Sequence, residues 1–270
     1  SEVVRTSTGA ESFSGDFTKL VELFEREARV LSHLEHPGVP ALVDHFVLDA
    51  DADPRLYTVQ ERVEGRTLAE LVESGRHFTE AEVVRVGLAV ARILAHLHAL
   101  APPLVHRDIK PTNVMLAGDG TVHLIDFGAV KTTLEVDGLG GETVVGTFGY
   151  MPPEQYEGRA RPASDVYALG GTLVFLLTHR APGELPRDDG RPALGDAVDV
   201  SPGLAAVLER MLAPAPGERY RDGGDLLADL ERVAAGERPA RRSASPVRLA
   251  ALGAVVLAGG VALATGLGPG

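Results

Sequence analysis

Cysteine and tryptophan are both absent from this 270-residue sequence, and only 5% of its residues are aromatic. Without cysteine, the chain has no disulfide, no thiolate chemistry and no cysteine-ligated zinc site. Its core must therefore consist mainly of leucine, valine and alanine. Basic residues are scarce as well, because 38 acidic side chains outnumber 26 lysines and arginines and give a formal net charge of −12. An acidic chain is a poor candidate for nucleic-acid binding, which depends on neutralising phosphates.

The N-terminal end lacks two further features. Residues 1–5 contain no basic stretch followed by an apolar run, so no secretory signal peptide is predicted. The chain opens on Ser1 and not on methionine. We therefore expect it to begin within a longer protein.

The first third of the chain predicts one helix followed by two strands. Apolar residues recur at spacings of three and four over residues 17–35, which favours a helix that ends at the His-Pro-Gly sequence 36–38. Two extended apolar runs follow at 39–48 and 56–63, and an Asp/Pro-rich turn separates them.

A second long helix is predicted to begin at Thr79. Glu82 lies three residues later, so the two residues have the spacing of a capping box. His96 and His98 follow within this helix, but residues two apart do not share a helix face. We therefore predict no metal site from these histidines.

The remaining elements follow from apolar runs and turn residues. Short strands are predicted around 114–116 and 122–125, and a long functional loop is predicted at 129–163. A buried helix at 164–177 and two amphipathic helices at 203–213 and 223–235 complete the pattern.

The C-terminal end predicts a membrane attachment. Residues 237–248 form an arginine-bearing linker, and residues 249–268 run without a charge over about the length that a transmembrane helix needs. Arginines precede this segment and no charge follows it, which keeps the preceding domain in the cytoplasm. A buried helix and an Ala/Gly-rich tail are the alternatives. Small residues recur every four positions and favour pairing of two such helices as a homodimer.

Three motifs stand in order along the chain: HRDIKPTN at 106–113, DFG at 126–128 and GTFGYMPPE at 146–154. They resemble the catalytic loop, metal-binding loop and substrate-binding segment of bacterial protein serine/threonine kinases of the eukaryotic type. The resemblance covers about residues 20–235. It implies an α+β, two-lobed fold, with residues 1–63 as an incomplete N-lobe and residues 64–236 as a mainly helical C-lobe.

The resemblance also assigns the chemistry. Asp108 accepts the proton of the substrate hydroxyl, and Lys110 contacts the transferring phosphoryl group, as in Ser/Thr-specific members. Thr147 resembles the threonine that bonds the catalytic aspartate and lysine. Asn113 and Asp126 supply oxygen ligands, which Mg²⁺ prefers. The implied cofactors are therefore ATP and Mg²⁺.

By the same resemblance, a second set of residues binds ATP. Glu27 occupies the place of the helix glutamate that pairs with the ATP-binding lysine. Gln60 falls at the gatekeeper position, Glu61 and Val63 offer backbone groups to adenine, and Met115 lies beneath the ring.

A third set implied by the resemblance is structural or regulatory. Its members are His106, Arg107, Phe127, Gly128, Glu154, Asp165 and Arg219. Asp165 holds the backbone of the catalytic loop, and Glu154 pairs with Arg219 in a buried ion pair. His106, Phe127 and Asp165 stack with Leu31. Arg107 is neutralised by a phosphate on the activation loop, for which the candidate acceptors are Thr132, Thr133, Thr143 and Thr147.

The family's glycine-rich loop and strand lysine do not appear before Glu27. Lys19 is the only lysine in that stretch and falls on the same predicted helix, while Arg5 is a poor substitute for a lysine ammonium. The chain is therefore interpreted as a fragment, or as a pseudokinase that binds partners without transferring phosphate. The intact metal and base residues favour the fragment.

The expected function is transfer of the ATP γ-phosphoryl group to Ser or Thr hydroxyls of proteins, with autophosphorylation. The resemblance implies protein substrates. The charge-free segment 249–268 and the arginines before it predict a single-pass protein of the bacterial inner membrane. A pseudokinase scaffold is the alternative function. A small-molecule phosphotransferase is a third hypothesis, which the peptide-binding segment disfavours.

Overall fold

This computed structural model describes residues 3–9, 21, 24–25, 28–29, 31–48, 55–127, 149–188, 191–192, 194 and 198–239. Several predictions fall outside these ranges: Glu27, Gly128, Thr132, Thr133, Thr143, Thr147, most of the basic linker and the whole segment 249–268. Among the described residues, no helix combines the length and the apolar character that a bilayer span needs.

The N-terminal part contains an antiparallel sheet of three strands, β1 (Val3–Gly9), β2 (Leu42–Leu48) and β3 (Arg55–Glu61), in the order β1-β3-β2. The sequence predicted β2 and β3 but not β1. Only the first two residues of β1 are apolar, and the residues after them are polar or glycine, so no strand pattern appears. β2 begins three residues later than predicted. The reason is a turn in which the Val39 amide donates to the His36 carbonyl at 2.9 Å, followed by Pro40, which has no N–H.

A helix, α1, packs on this sheet and is described at residues 21, 24–25, 28–29 and 31. Phe24 and Leu56 are buried together, and Val21 and Val47 pack against them. The predicted helical period is thus present, but the helix does not reach residue 35 as predicted. Ser32 and His33 form a turn instead, and the Leu34 amide donates to the Leu31 carbonyl.

The next elements are β4 (Gly65–Thr67), α2 (Leu68–Glu73) and α3 (Glu80–His98). The predicted start of α3 is confirmed, because Thr79 is its N-cap and forms a capping box with Glu82. A second capping box joins Thr67 to Glu70 at the start of α2. Neither β4 nor α2 was predicted, since each is too short to show a hydrophobic period.

The second sheet, of order β4-β5-β6, is completed by β5 (Val114–Ala117) and β6 (Val122–Leu124). Beyond it lie α4 (Pro153–Tyr156), α5 (Pro162–Thr178), α6 (Pro202–Met211), α7 (Gly223–Ala234) and the two-residue strands β7 (Arg187–Asp188) and β8 (Arg191–Pro192). The prediction of a loop up to residue 163 is therefore wrong at its C-terminal end, where Pro153 and Pro162 each open a helix.

Helix α5 is the centre of the main core, because nearly all its residues are buried irrespective of helix face. Helix α3 packs against both α5 and α7. The N-terminus of α7 lies directly on α3, so that a Cβ added to Gly223 would stand 2.4 Å from the Ala95 amide nitrogen and 2.6 Å from Leu94 Cβ. Only glycine allows this approach of one helix to the backbone of the other.

We expect Gly223→Ala to destabilise the protein by about 1–3 kcal/mol, because the added methyl group forces two packed helices apart. Gly217→Ala is the matched control, since a Cβ added there meets nothing within 4 Å. Urea denaturation followed by circular dichroism measures both changes. Equal stability of the two variants would show that the α3–α7 contact is looser than the structure has it.

Candidate active site

The hairpin of β5 and β6 brings two predicted metal ligands to one edge of the second sheet. Asn113 directly precedes β5, and Asp126 follows β6 by two residues. The ladder between the strands extends one step further, because the Ile125 amide donates to the Asn113 carbonyl at 2.9 Å. Asp126 has a φ of 57°, a left-handed conformation that is uncommon outside glycine and concentrates at functional sites.

The predicted catalytic residues converge on the carboxylate of Asp108. Lys110 Nζ lies 2.9 Å from Asp108 Oδ2, and Asn113 Nδ2 donates to the same oxygen at 2.9 Å. The same amide group donates to the Asp108 main-chain carbonyl at 2.8 Å. The carboxylate is about one fifth exposed, so it is held by two partners yet open to a substrate.

Asp165, at the start of α5, fixes the backbone that precedes Asp108. Its two oxygens accept hydrogen bonds from the amides of His106 at 2.7 Å and Arg107 at 2.8 Å, and the residue is fully buried. Arg107 has a φ of 68°. A non-glycine residue persists in this region only when its surroundings hold it there, and the buried carboxylate provides that hold.

His98 is a member of this arrangement that the sequence did not indicate. The Gly223 amide donates to its Nδ1 at 3.0 Å, so Nε2 carries the proton and donates to Asp165 Oδ2 at 3.1 Å. The imidazole thus connects the starts of α7 and α5. Its position in the last turn of α3 was readable from the sequence, but its partners lie 67 and 125 residues away.

His106 is also buried and faces the predicted metal-binding loop. Its ring centroid lies 4.6 Å from that of Phe127, and its Nδ1 accepts the Asp108 amide at 3.3 Å. Burial lowers the pKa of His106 despite the carboxylates nearby, above all Asp165. The ring is therefore a neutral packing group that bonds the backbone of Asp108.

Glu154, the last residue of the predicted substrate-binding segment, forms a buried, bidentate ion pair with Arg219. Arg219 Nη1 lies 2.6 Å from Glu154 Oε1, and Nη2 lies 3.1 Å from Oε2. Ser164 Oγ also donates to the glutamate, at 2.7 Å. The remaining guanidinium hydrogens reach the main-chain carbonyls of Ala213, Ala163 and Pro214. A buried charge needs this degree of satisfaction to be stable.

A model of the protein kinase domain matches residues 13–240 of this sequence, which include every residue of the candidate site described above. The chain belongs to the protein kinase family. The resemblance to protein kinases expected from the three motifs is thus confirmed.

Three similar curated proteins are kinases from bacteria. Serine/threonine-protein kinase F of Synechocystis sp. is 38% identical over 224 residues, which cover 78% of this chain and 45% of that protein. Serine/threonine-protein kinase PknA of Nostoc sp. is 37% identical over 224 residues, covering 78% and 38%. PknB of Mycolicibacterium smegmatis is 32% identical over 231 residues, covering 80% and 36%. The chain thus spans less than half the length of these relatives.

The Glu154–Arg219 ion pair makes the stability of this kinase-family chain depend on pH in the acidic range. Burial alone would raise the pKa of Glu154, but hydrogen bonds from Arg219 and Ser164 outweigh it and hold that pKa below the ordinary value of 4.5. The stabilisation is therefore complete above about pH 4.5 and is lost as the pH falls through the folded-state pKa.

We expect Glu154→Gln to flatten the acid limb of a plot of unfolding free energy against pH, because the group that takes up a proton is gone. Urea denaturation at intervals between about pH 6 and pH 3 measures it. Glu184→Gln, a change at an exposed carboxylate, should leave the limb as in the wild type. If the acid limb of Glu154→Gln had the same slope as that of the wild type, Glu154 would be excluded as the source of the pH dependence.

The predicted adenine-binding residues lie at the junction of the two sheets. Gln60 and Glu61 end β3, and Met115 lies in β5 opposite Thr67 and His123. A cavity of about 430 Å³ is lined by Glu61 and Val63, but Met115 does not line it. The structure therefore groups Glu61 with Val63 and leaves the role of Met115 a prediction.

Asn113 and Asp126 fit a magnesium ion that is shared with a nucleotide. Mg²⁺ commonly takes one or two protein oxygens and fills its other positions with phosphates and water. In the described part of the chain, no group of three or more His, Asp or Glu residues could hold a metal by itself. The magnesium site formed by Asn113 and Asp126 stays a prediction.

Proposed function

We propose that this chain transfers the γ-phosphoryl group of ATP to serine or threonine hydroxyls of proteins. One observation carries the proposal: the carboxylate of Asp108 is held by Lys110 and Asn113 beside the hairpin that ends in Asp126. Phosphoryl transfer requires positioning and charge neutralisation more than covalent catalysis. The site supplies a base, a cation and two metal-ligand side chains.

Each residue has a defined task in this proposal. Asp108 accepts a hydrogen bond from the substrate hydroxyl and takes its proton as the oxygen attacks the γ-phosphorus, while the bond from that phosphorus to ADP breaks and ADP leaves. Lys110 balances the negative charge of the phosphoryl oxygens. Asn113 and Asp126 would hold Mg²⁺, which neutralises the phosphate oxygens when it is bound with ATP.

A protein acceptor is favoured over a small molecule by the anchoring of the substrate segment. The Glu154–Arg219 pair fixes that segment from below, and Tyr156 at its end is 46% exposed. Ser/Thr specificity is supported by Lys110 and by the names of the bacterial relatives, which are serine/threonine-protein kinases.

Autophosphorylation is part of the proposal and is supported by Arg107. Its Nε is buried and has no hydrogen-bond partner among the described residues. A cation in this state suits an anionic partner such as a phosphothreonine. Thr132, Thr133 and Thr143 stay the predicted acceptors.

A scaffold without catalytic activity is the second candidate. It is favoured by the sequence of β1, which contains Arg5 and no lysine. Arg5 lies opposite Val59 in the sheet, next to the pair formed by Val4 and Gln60. A scaffold would retain partner binding without phosphate transfer, which separates the two candidates by assay.

The test is incubation of the whole chain with Mg²⁺, γ-labelled ATP and a mixture of casein and myelin basic protein. We expect label on the added proteins and on the chain itself, recovered after hydrolysis as phosphoserine and phosphothreonine. Label on tyrosine alone would contradict the proposed specificity. Absence of label, with ATP bound or not, would favour the scaffold.

We also propose that residues 249–268 attach the chain to the bacterial inner membrane, with the kinase domain in the cytoplasm. The support is the charge-free length of this segment and the arginines before it. Carbonate-washed membranes should retain the full chain and release a chain that ends at residue 248. Pairing through the small-residue face of this segment stays a prediction.

A further inference from the structure

Gln155 makes a contact between two parts of the site, and this contact has no role in the chemistry proposed above. It lies in α4, directly after Glu154, and is only 4% exposed. Its side-chain Nε2 donates to the main-chain carbonyl of Arg107 at 2.5 Å, a residue 48 positions earlier in the chain. The contact therefore joins the substrate segment to the catalytic loop.

The carbonyl that Gln155 contacts belongs to a conformationally constrained residue. Arg107 has a φ of 68°, and its own amide donates to the buried carboxylate of Asp165 at 2.8 Å. The hydrogen bond from Gln155 holds the carbonyl of the same residue. Because this carbonyl belongs to the peptide bond that joins Arg107 to Asp108, its orientation influences the direction of the Asp108 side chain.

We propose that Gln155 is a positioning residue for Asp108. It couples the folding of the substrate segment to the orientation of the Asp108 carboxylate. This inference rests on the proposed kinase function. The coupling follows from sequence adjacency, because Glu154 is fixed by Arg219 and Gln155 comes next. When Glu154 is paired with Arg219, the side-chain amide of Gln155 reaches the Arg107 carbonyl. Both the amide and the carbonyl of Arg107 are then hydrogen-bonded.

The geometry distinguishes this role from ordinary stabilisation. A buried hydrogen bond that only stabilised the fold would raise the population of folded molecules without changing their rate. A bond that fixes the peptide before the base changes the rate itself, since a small misplacement of reacting groups lowers it strongly. Thr172 provides a matched comparison, because its Oγ1 donates to the Ala168 carbonyl at 2.9 Å within buried helix α5.

Two substitutions separate these roles kinetically. Gln155→Met keeps the length of the side chain and removes the donor, so we expect kcat to fall on the order of tenfold with KM for ATP changed less than about twofold. Thr172→Val removes a buried hydrogen bond that does not involve the catalytic loop, so it should leave kcat within about twofold of wild type. Equal kcat values for Gln155→Met and wild type, at full folding, would overturn the proposal.

Gln155→Glu adds a readout that a purely structural role would not give. The ionised carboxylate has no hydrogen to donate to the Arg107 carbonyl, whereas the protonated acid has one. The activity of Gln155→Glu relative to wild type should therefore rise as the pH is lowered from about 8 to 6. A ratio that does not change with pH would count against the hydrogen bond.

Hydrogen–deuterium exchange of the whole chain tests the inference without any activity. Gln155→Met should increase deuterium uptake in peptides spanning residues 104–110, and Thr172→Val should not. If the wild type transfers no phosphate but this difference appears, the proposed function fails while the coupling contact stands. If transfer is normal and uptake is unchanged, the coupling alone is wrong.

Discussion

Replacing Asp108 with asparagine is expected to lower kcat for phosphoryl transfer by about 10²–10⁴-fold, the usual contribution of a positioned general base. The amide retains the shape of the side chain but cannot accept the substrate proton. The contacts from Lys110 and Asn113 depend on the acceptor oxygen at this position. ATP affinity should change little, because the predicted metal ligands Asn113 and Asp126 remain.

Single-turnover measurement of phosphate transfer gives the rate directly and avoids product release. Asp119→Asn is the matched control, since Asp119 is exposed in the turn of the same hairpin, where its Oδ1 accepts the Thr121 amide. We expect this control to retain wild-type activity. If the phosphate-transfer rate of Asp108→Asn were within a few fold of the wild-type rate, Asp108 could not be the general base.

Removing the guanidinium by Arg219→Leu is expected to cost about 3–5 kcal/mol of unfolding free energy, because Glu154 is left as an unpaired buried charge. The loss should appear as a lower urea midpoint. Glu154→Leu should give a similar cost. The double variant should lose less than the sum of the two single losses, since the second change removes a charge already without its partner.

Arg221 offers the control for this cycle. Its guanidinium contacts Asp222 and Asp225 at 3.1 Å, but its side chain is 79% exposed. Exposed ion pairs contribute at most about 1 kcal/mol, so Arg221→Leu should change stability little. Additive losses in the Arg219 and Glu154 variants would show that these two residues do not act as a pair.

The candidate catalytic residues could be named from the sequence because they occur in short, ordered motifs. Asp108, Lys110 and Asn113 lie within six positions of one another, so their convergence depends on a single loop. The pairing of Glu154 with Arg219 came from family resemblance, and the structure has the two residues in contact.

Contacts between distant segments were not predictable in this way. The bond from Gln155 to Arg107 and the link of His98 to Asp165 and Gly223 depend on how helices pack, and no local spacing encodes them. Strand β1 was missed for a different reason. Its backbone pairs with β3, while most of its residues are polar and give no alternating pattern.

Helix limits were predicted best where a side chain caps the helix. Thr79 and Glu82 mark the start of α3 in the sequence and in the structure. The end of α1 was placed too late, because the apolar period continues into Leu34, which packs in the main core from outside the helix. Apolar spacing reports burial, and a residue can be buried without being helical.

The most direct test of the central claim is the intact mass of the whole chain before and after incubation with ATP, in the presence of Mg²⁺ or of EDTA, beside an Asp126→Asn variant. The account predicts added mass in steps of about 80 Da for the wild type with Mg²⁺, and none with EDTA or in the variant. Absence of added mass in the wild type, or equal addition in all three samples, would contradict catalysis by the site formed by Asp108, Asn113 and Asp126.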